Sequence, residues 1–514
     1  MRTLHGRADP ARGYDARVTV TEREVKLAAA PSFRMPDLND LADGVRLVPK
    51  EPERLSTTYL DTDDLRLARW GVNLRHRLGE GWTVKLPAES DGALLVRPEH
   101  VFPGSNRRPP VAAVDLVQGF IRSAELRPQA RLKTVRRAIE VQDIEGSVLA
   151  EVLDDEVSVL EGRRIAARFR ELEIEIREDM PRALLDDLVE RLQQAGAGTP
   201  DTTPKYIRAL GPRASQPPEV PLPKLASGAS AGDVVRRTIA ASVIRLIEHD
   251  PVMRLDADPE GVHQARVATR RLRSDLRTFR SLVDSTWATE LRDELGWLAG
   301  VLGTVRDGDV MLERMRERAT ELPESNARGT ARVLATLEAA RNEAHLELLA
   351  TLRSERYLSL LDRLVAAGNT PELLLEADLP ASVLLPGLVQ RPWRALAKQV
   401  RALPDEPADA ELHAVRIRTK RVRYAAEAVA PLVGRQARMF AEAAAALQEV
   451  LGDLNDAVIA ESWLREWARG SRSGQGIFAA GELAGLERAS AQRRRARWEK
   501  TWKELSAPRL RSWM

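Results

Sequence analysis

Acidic side chains recur at every second position in two short segments of the amino-terminal half. In TEREVKL, Glu22, Glu24 and Lys26 stand two residues apart, and FRELEIEI repeats this spacing with Glu171 and Glu173. Side chains two residues apart lie on one face of a β-strand. Either segment alone is compatible with an ordinary strand whose acidic face is solvated. If both faces meet, their carboxylates repel one another unless a divalent cation lies between them.

Basic side chains follow the same alternation elsewhere in this half. Lys133 and Arg137 share one face of RLKTVRR, and Arg136 lies on the opposite face. If the strands close into a barrel, their charged faces line its interior, where the cations could hold phosphate oxygens opposite the carboxylates. Oxygen ligands favour Mg²⁺ or Mn²⁺, which can polarise a terminal phosphoryl group and orient a water. The pattern therefore predicts a metal-dependent site for a triphosphate. The basic candidates are Arg75, Arg77, Lys85, Arg97, Lys133, Arg136 and Arg137.

A different cationic pattern stands in the carboxy-terminal half. The stretch VHQARVATRRLRSDLRTF, residues 262–279, contains no Gly or Pro and predicts a helix. His263, Arg266 and Arg270 recur at the spacing of three and four that apolar seams normally use. A row of cations is compatible with an ordinary solvated face, but in register it suits a linear polyanion. Aromatic residues make up only 4% of the chain, so we do not expect nucleic acid as the partner.

This helix has a second copy 150 residues later. The segment LHAVRIRTKRVRYAAEAV, residues 412–429, aligns with it without gaps, and downstream LGTVRDGDV matches LGDLNDAVI, which places Asp307 opposite Asp456. Two features in the same order indicate two related helical bundles. The aligned pairs are His263 with His413, Arg266 with Arg416, Arg270 with Lys420, Arg271 with Arg421, and Arg273 with Arg423.

Composition limits the remaining possibilities. The net charge of the 514 residues is only +3, so any basic site must arise by local clustering. Without cysteine there is no disulfide, thiolate nucleophile or Cys zinc site, which suits the cytoplasm. We find no signal-peptide core in the first residues and no apolar run of about 18 residues, so we expect a cytoplasmic protein without a membrane span. We expect the α+β class: an antiparallel β-barrel at 16–210, a linker at 211–227, and an all-α domain of two repeated helical bundles at 228–510.

The amino-terminal half resembles the CYTH superfamily, also called triphosphate tunnel metalloenzymes. EREVK fits the E-x-E-x-K signature, and YLDTDDLRLARWGVNLRHRLGEGWTVKLP, AEVLDDEVSVL, FRELEIEI and TPKYIRAL follow in the expected order over about residues 16–210. The resemblance implies a tunnel with metal ligands Glu22, Glu24, Glu171 and Glu173, assisted by Asp155 or its neighbour Asp154. It also implies phosphate contacts along the tunnel from Lys26, Arg75, Arg77, Lys85, Arg97, Lys133, Arg136, Arg137 and Lys205.

The carboxy-terminal half resembles the CHAD family of histidine-containing α-helical domains, over about residues 228–510. That family is associated with inorganic polyphosphate, so the resemblance implies polyphosphate binding and association with polyphosphate granules. The residues that would bind it are His263, Arg266, Arg270, Arg271, Arg273, His413, Arg416, Lys420, Arg421 and Arg423.

Together these patterns predict hydrolysis of inorganic triphosphate, with Mg²⁺ or Mn²⁺, in a chain that also binds polyphosphate. Two alternatives stay open. The protein could be a non-catalytic polyphosphate-binding scaffold, or it could act on an organic triphosphate such as thiamine triphosphate. Retention of both glutamate pairs favours catalysis, because a degraded tunnel should lose carboxylates. The sequence makes no prediction about the oligomeric state.

Overall fold

The computed structural model describes residues 18–38, 41–87, 89–91, 93–104, 108–226 and 228–514. The chain divides into two compact units between Glu219 and Val220. The first unit is rich in strands and the second is helical, so the predicted α+β class is confirmed. The predicted domain start at residue 16, and residue 227 at the end of the predicted linker, lie outside the described residues.

The first unit is built on an antiparallel β-barrel. Pairing runs through β1, β10, β9, β8, β3, β4, β5 and β7, and β7 pairs back with β1, so these eight strands close on themselves. β2, β6 and β11 pair with individual barrel strands outside this circuit. The strands are β1 Val18–Ala29, β2 Arg46–Pro49, β3 Glu53–Asp61, β4 Asn73–Arg77, β5 Gly81–Lys85, β6 Glu89–Asp91, β7 Leu94–Phe102, β8 Arg127–Gln142, β9 Val148–Glu161, β10 Arg164–Ile176 and β11 Ala197–Pro200. The helices are α1 Arg66–Arg69, α2 Val111–Ile121, α3 Arg182–Gln194 and α4 Lys205–Leu210.

Strand alternation separates the two faces of the barrel wall. On β1, Val25 and Leu27 are buried in an apolar cluster with Leu172 and Ile174 of β10, and α3 covers this cluster through Leu188. The residues between them in sequence point the other way, into the barrel. Burial of the apolar face therefore fixes the register that turns the charged face inward, because a slip of one residue would exchange the faces.

One end of the barrel interior is apolar. Leu132 of β8 and Val157 of β9 have the same strand parity as charged residues further along those strands, so they face the interior. They pack in one cluster with Tyr59 of β3 and Tyr206 of α4, whose rings stack with centroids 5.6 Å apart. The interior is consequently filled by side chains at this end and polar toward the other.

The second unit consists of two similar groups of helices. α5, α7, α8 and α9 pack in this order, and α11, α12, α13 and α14 repeat it. The two copies meet where α7 contacts α12. No helix of the described residues is long and apolar enough to cross a bilayer. The helices are α5 Ala231–Glu248, α6 Asp250–Leu255, α7 Glu260–Thr278, α8 Ser285–Ala319, α9 Ala327–Leu352, α10 Glu355–Asn369, α11 Ala381–Arg401, α12 Asp409–Val433, α13 Arg435–Gly470, α14 Gly474–Arg495 and α15 Trp498–Leu505.

The predicted linker is divided between the two units. Ala214 is buried in the apolar cluster of the barrel, and Glu219 accepts a hydrogen bond from Trp70 Nε1 at 3.0 Å. Val220 is 1% exposed and lies so close to Gly368 that a Cβ there would approach its Cγ1 to 2.9 Å. The Pro-rich composition therefore marks the domain boundary, and single residues on each side of it, Ala214 and Val220, are buried in their own unit.

Candidate functional site

The barrel interior collects acidic side chains from three adjacent strands. Glu24 of β1, Asp155 of β9, and Glu171 and Glu173 of β10 are each less than 5% exposed. The register pairs Ala28 with Glu171, Lys26 with Glu173, and Asp155 with Glu171, so the three strands bring these positions side by side. Glu22, whose side chain is 12% exposed, lies nearer the open end of the same wall.

Glu173 is the centre of this wall because three cations share its carboxylate. Lys26 Nζ lies 2.5 Å from Oε1, and Lys205 Nζ and Arg136 Nη2 lie 2.7 and 3.3 Å from Oε2. Arg136 also binds Asp155 through two hydrogen bonds of 2.9 and 2.7 Å, and Lys205 contacts the same carboxylate. Acids and bases therefore form one buried network rather than isolated pairs.

A second group of ion pairs lies toward the open end. Lys85 Nζ is 2.5 Å from Glu22 Oε2 and 3.5 Å from Glu99 Oε2, and Arg75 Nη2 is 2.9 Å from Glu99 Oε1. Arg97 is 5% exposed, and its Nε is buried without a hydrogen-bond partner among the described residues. Such a buried donor is available to an incoming acceptor.

A continuous cavity connects these groups. Its outer part has a volume of about 440 Å³. The inner part reaches Lys26, Arg97 and Lys205, and ends at Tyr206. The two parts share the lining residues Glu22, Arg75, Arg77, Arg136 and Glu175. The enclosed, charged channel that strand alternation implied is thus present.

Burial and neighbouring charges move the pKa values of these carboxyls in opposite directions. Burial raises the pKa of Glu171 to about 7, and burial with repulsion from Glu22 and Glu173 raises that of Glu175 to about 7. Burial would raise the pKa of Glu22 as well, but Lys85 and Lys26 lower it to about 2. Despite burial, Lys205 and Lys26 hold the pKa of Glu173 well below its ordinary value.

The acidic set fits a divalent cation in its donor chemistry. Glu24 Oε1 and both carboxylate oxygens of Glu171 are buried without hydrogen-bond partners among the described residues, and oxygen donors are what Mg²⁺ and Mn²⁺ prefer. No group of three or more His, Asp or Glu side chains in the described part of the chain is arranged as a preformed metal cage. The reason is visible in the network: Lys26 lies 3.1 Å from Glu24, and Lys205 lies 3.3 Å from Glu171. Ammonium groups sit where a metal would bind.

The structure corrects two of the predicted tunnel residues. Lys133 and Arg137 of β8 are exposed on the outer face, because they have the opposite strand parity to Arg136. Arg137 pairs there with Glu156 at 2.8 Å. We therefore remove both from the candidate set. The predicted residues that do meet inside the barrel are Glu22, Glu24, Lys26, Arg75, Arg77, Lys85, Arg97, Arg136, Asp155, Glu171, Glu173 and Lys205.

The choice between the two adjacent aspartates follows from the same alternation. Asp155 faces the interior, whereas Asp154 binds Arg170 Nη2 at 2.7 Å. Arg170 in turn donates to the Phe33 carbonyl, on the other side of the wall from Arg136.

Sequence reasoning missed several interior residues. Asn73 stands two residues before Arg75, so strand alternation alone could have found it. Tyr206 and Arg208 are carried by the short helix α4, and Arg208 Nη1 lies 3.6 Å from Glu171 Oε2. No local pattern announces that this helix closes the barrel interior.

The second unit contains a pocket between its two repeated helices, which we call the facing-helix pocket. His263, Arg266 and Arg270 of α7 line a cavity of about 470 Å³ together with His413, Arg416 and Lys420 of α12. Arg306 and Arg314 of α8 also line it and were missed, because they come from a neighbouring helix. Arg306 immediately precedes Asp307 in the repeated LG segment, which was the available signal.

The LG segments position the ends of the cationic side chains. Arg266 Nη1 donates to Asp307 Oδ1 at 2.6 Å, and His413 Nδ1 lies 2.6 Å from Asn455 Oδ1. A Cβ at Gly452 would lie 3.4 Å from Arg416 Nε, so the small residue lets this guanidinium lie across α13. The two copies thus orient their equivalent arginines differently.

Burial and repulsion between neighbouring cations both disfavour the charged forms of the basic side chains in this pocket. Burial and the neighbouring Arg416 and Arg270 lower the pKa of Lys420 to about 8. Burial and Arg306 also lower the pKa of His263. The cations outnumber the two pocket carboxylates, Asp307 and Asp456, so their charge is only partly compensated.

Four predicted residues lie outside the facing-helix pocket: Arg271 and Arg421 are rotated away from its face of the helix, and Arg273 and Arg423 lie further along their helices. Arg271 and Arg423 both pair with Glu427. Arg273 is exposed and lies beside Gly296 of α8. Arg421 lines a separate groove on the other side of α12.

Comparison with known proteins matches both units to families. The CYTH domain model matches residues 21–207 and the CHAD domain model matches residues 237–465. A Mycobacterium tuberculosis protein, MT2285, is 31% identical over 514 residues, covering 94% of this chain and 96% of its own length. The structure of the CHAD domain from the plant Ricinus communis is 27% identical, with a TM-score of 0.46, over 56% of this chain and 96% of its own.

The barrel unit has a more distant structural neighbour. HpAC1 from Hippeastrum, named for adenylyl cyclase and described as having a dominant triphosphatase activity, is 14% identical with a TM-score of 0.23. The match covers 37% of this chain and 94% of that one.

Proposed function

Because the chain belongs to the proteins that join a CYTH domain to a CHAD domain, we propose that its barrel hydrolyses inorganic triphosphate and its helical unit binds polyphosphate. The observation that carries the first half is the buried network in which Glu173 is shared by Lys26, Arg136 and Lys205. Ion pairs of this kind must be exchangeable if the interior is to receive an anion. A triphosphate would neutralise the cations of the network, and a divalent cation would neutralise its carboxylates.

The carboxylates on β1, β9 and β10 would hold the metal. Among the described residues, Glu24 and Glu171 have buried oxygens without hydrogen-bond partners, and Glu22, Glu173 and Asp155 stand beside them. The chemistry that a bound Mg²⁺ or Mn²⁺ supplies is neutralisation of phosphoryl oxygens and activation of a water. No separate catalytic base is then needed, since phosphoryl transfer depends mostly on positioning and charge.

The basic side chains would bind and orient the phosphate groups. Arg75 and Arg77 reach the cavity from β4, which lies across the barrel from the glutamates of β10, and Arg97 reaches it from β7, beside β1. Guanidinium groups fit phosphate oxygens with two parallel hydrogen bonds. Lys26 and Lys205 would move from the carboxylates to the phosphate, which frees the acidic wall for the metal. Exclusion of water from this buried space strengthens every such contact.

The facing-helix pocket would hold the polyphosphate chain. Its cations come in two equivalent sets from α7 and α12, and burial together with repulsion from Arg416 and Arg270 lowers the pKa of Lys420. A polyanion relieves this repulsion, and each charge-assisted contact contributes about 1.5–3 kcal/mol. Association with polyphosphate granules in the cytoplasm would follow, and fluorescence microscopy of a tagged full-length chain tests it.

One observation favours a second candidate, an oligophosphate-binding protein without turnover. The carboxylates are held by ammonium and guanidinium groups, and none of them forms a preformed metal cage within the described residues. An organic triphosphate such as thiamine triphosphate is the other substrate class that the same interior could take.

A substrate panel distinguishes these candidates. The protein is incubated with each of four compounds in the presence of Mg²⁺, Mn²⁺ or EDTA, and phosphate release is measured. The compounds are tripolyphosphate, thiamine triphosphate, ATP and long-chain polyphosphate. We expect metal-dependent release from tripolyphosphate that Glu24→Ala abolishes and the matched control Glu156→Ala, on the exposed outer face, preserves. Normal turnover in Glu24→Ala would refute the acidic site. Binding without release under every metal would establish the second candidate.

A further inference from the structure

The second unit contains a groove with a cluster of arginines that the proposed function does not use. The groove has a volume of about 310 Å³ and lies between the end of α7, α11 and α12. Five arginines line it: Arg277, Arg280, Arg391, Arg418 and Arg421. Its other side is apolar and consists of Leu388, Pro392 and Ala395 of α11. We call it the arginine groove.

The arginine groove is not neutralised by acidic residues. None of its five guanidiniums makes an ion pair within the described residues, whereas Arg271, Arg314, Arg341 and Arg423 elsewhere in the unit do. Burial and repulsion from Arg277 and Arg418 lower the pKa of Arg421. Guanidinium groups gathered without counter-charge repel one another, and a bound anion would relieve that repulsion.

The internal duplication supplies a built-in control for this observation. The equivalent groove of the other copy lies between α5, α7 and α12 and has a volume of about 160 Å³. The alignment at an offset of 150 residues places Arg271 where the arginine groove has Arg421. Two aligned positions carry an acid in this groove and not in the arginine groove: Glu427 is aligned with Arg277, and Asp275 is aligned with Ala425.

Among the described lining residues, only one of the two grooves holds acids. Glu427 accepts from Arg271 and lies 2.7 Å from Arg423 Nε, whereas burial raises the pKa of the neighbouring Asp275 well above its ordinary value. The same scaffold therefore exists once with an acid paired to one of its arginines and once without any acid among its described lining residues. The version without acids is also the roomier one.

We propose that the arginine groove is a second binding site of the helical unit, specific for oligophosphate groups and separate from the facing-helix pocket. Several guanidinium forks in a small concave site match the closely spaced oxygens of linked phosphates. The apolar side formed by Leu388 and Pro392 accommodates the organic part of a phosphate ester, whereas a free oligophosphate leaves it in contact with water. Both sources share the same recognition chemistry.

The test is residue-resolved protection of arginines in the full-length chain. Arginines are modified with phenylglyoxal in EDTA, with inorganic tripolyphosphate or ATP as probe, and modification at Arg277, Arg391 and Arg421 is quantified by mass spectrometry. We expect protection of all three. If ATP protects at lower concentration than tripolyphosphate, the site takes phosphate esters, and the reverse order assigns it to free oligophosphate.

Variants separate this site from the facing-helix pocket. Arg277→Glu installs the acid that the duplicate carries as Glu427 and should weaken protection of Arg421 by about tenfold or more, the effect of one charge-assisted contact. Arg394→Glu, exposed on α11 outside the groove, is the matched control and should change nothing. Arg270→Glu should abolish protection in the facing-helix pocket and leave the groove protected.

Three outcomes would overturn the proposal. The first is no protection of the groove at concentrations that fully protect Arg266 and Arg416. The second is loss of groove protection in Arg270→Glu, since the groove would then be only an extension of the first pocket. The third is protection by poly-glutamate but not by either phosphate probe, which would assign the groove to acidic protein segments. If the facing-helix pocket itself binds no phosphate, the first outcome is judged at saturating probe instead, and protection of Arg277, Arg391 and Arg421 still decides the proposal.

Discussion

The barrel interior and the facing-helix pocket both contain clusters of cationic side chains. The barrel interior also contains carboxylates that pair with them, whereas the pocket contains few. Inside the barrel, Lys26, Arg136 and Lys205 converge on the single carboxylate of Glu173. Between the repeated helices, Arg270, Arg416 and Lys420 face one another with little acid between them. A compensated network suits a ligand pair that brings both signs of charge, namely a metal and a phosphate. A cluster of cations with few carboxylates suits a polyanion alone.

The difference predicts that loss of one charge has opposite consequences for stability in the two regions. Removing an acid from a buried network strands several cations, and leaving buried charge unpaired lowers stability. Removing a cation from a cluster of like charges lowers their mutual repulsion and should therefore not lower stability. The following experiments test this contrast, beginning with the largest expected effect.

The largest effect is expected from Glu173→Gln. Three cations lose their shared partner, so the free energy of unfolding should fall by about 3–5 kcal/mol, the range for breaking a buried ion pair. Hydrolysis of tripolyphosphate should fall by about 100-fold or more, in line with the loss of one preorganised electrostatic contact. Urea denaturation and steady-state phosphate release measure the two quantities.

The control for Glu173→Gln is Glu156→Gln, which breaks the exposed ion pair with Arg137 on the outer face of the same wall. Exposed pairs contribute about 0–1 kcal/mol, so both stability and turnover should be nearly unchanged. Equal losses in the two variants would contradict the view that the interior network is special.

A smaller effect, with the opposite sign for stability, is expected from Arg270→Gln. Loss of one charge-assisted contact should weaken binding of long-chain polyphosphate by about tenfold or more, most strongly at low salt. Loss of the Arg270 charge also lowers the repulsion among the cations of the pocket, so the free energy of unfolding should stay constant or rise. Filter binding and urea denaturation give the two readouts.

Arg273→Gln is the matched control for this pocket, because it lies on the same helix but outside the cavity. Its polyphosphate affinity should equal that of the unchanged chain. A loss as large as that of Arg270→Gln would show that binding depends on total charge rather than on the pocket.

The smallest effect concerns pH. Burial, Arg416 and Arg270 lower the pKa of Lys420 to about 8, and Arg266 from α7 acts in the same direction, while Asp456 opposes them. A bound polyanion favours the ammonium form, so binding should take up a proton and affinity should fall as pH rises through 8. Titration calorimetry in buffers of different ionisation enthalpy measures the proton uptake. Lys420→Arg should keep the affinity and lose this part of the pH dependence.

The same shift has a defined sign for stability. A lowered folded-state pKa means that the unfolded chain binds the Lys420 proton more tightly between pH 8 and the ordinary lysine value. The contribution of this group to the free energy of unfolding should therefore rise with pH across that window. A decrease that Lys420→Arg removes would contradict the assignment.

Much of both sites was accessible from the sequence because regular elements have fixed periods. A period of two placed Glu22, Glu24 and Lys26 on one face, and the helical period grouped His263, Arg266 and Arg270. The errors arise where the period was not applied strictly. Lys133 and Arg137 have the wrong parity for the interior, and Arg271 lies one residue beyond the pocket face.

The residues that the sequence did not reveal depend on tertiary structure. Arg306 and Arg314 reach the facing-helix pocket from α8, which has to pack beside α7 first. Tyr206 enters the barrel because α4 folds over its end, and no alternation or repeat marks that helix. Local patterns predict which face a residue occupies; they do not predict which other element that face meets.

The stacked rings of Tyr59 and Tyr206 have one further consequence. The packed rings close one end of the barrel interior, so a phosphate chain that enters from the other end would be bound by its terminus and not by its middle. If the barrel hydrolyses such a chain, the products would have to leave through the same opening before the next substrate enters. Activity on long chains should then depend on the concentration of chain ends and not on the total mass of phosphate.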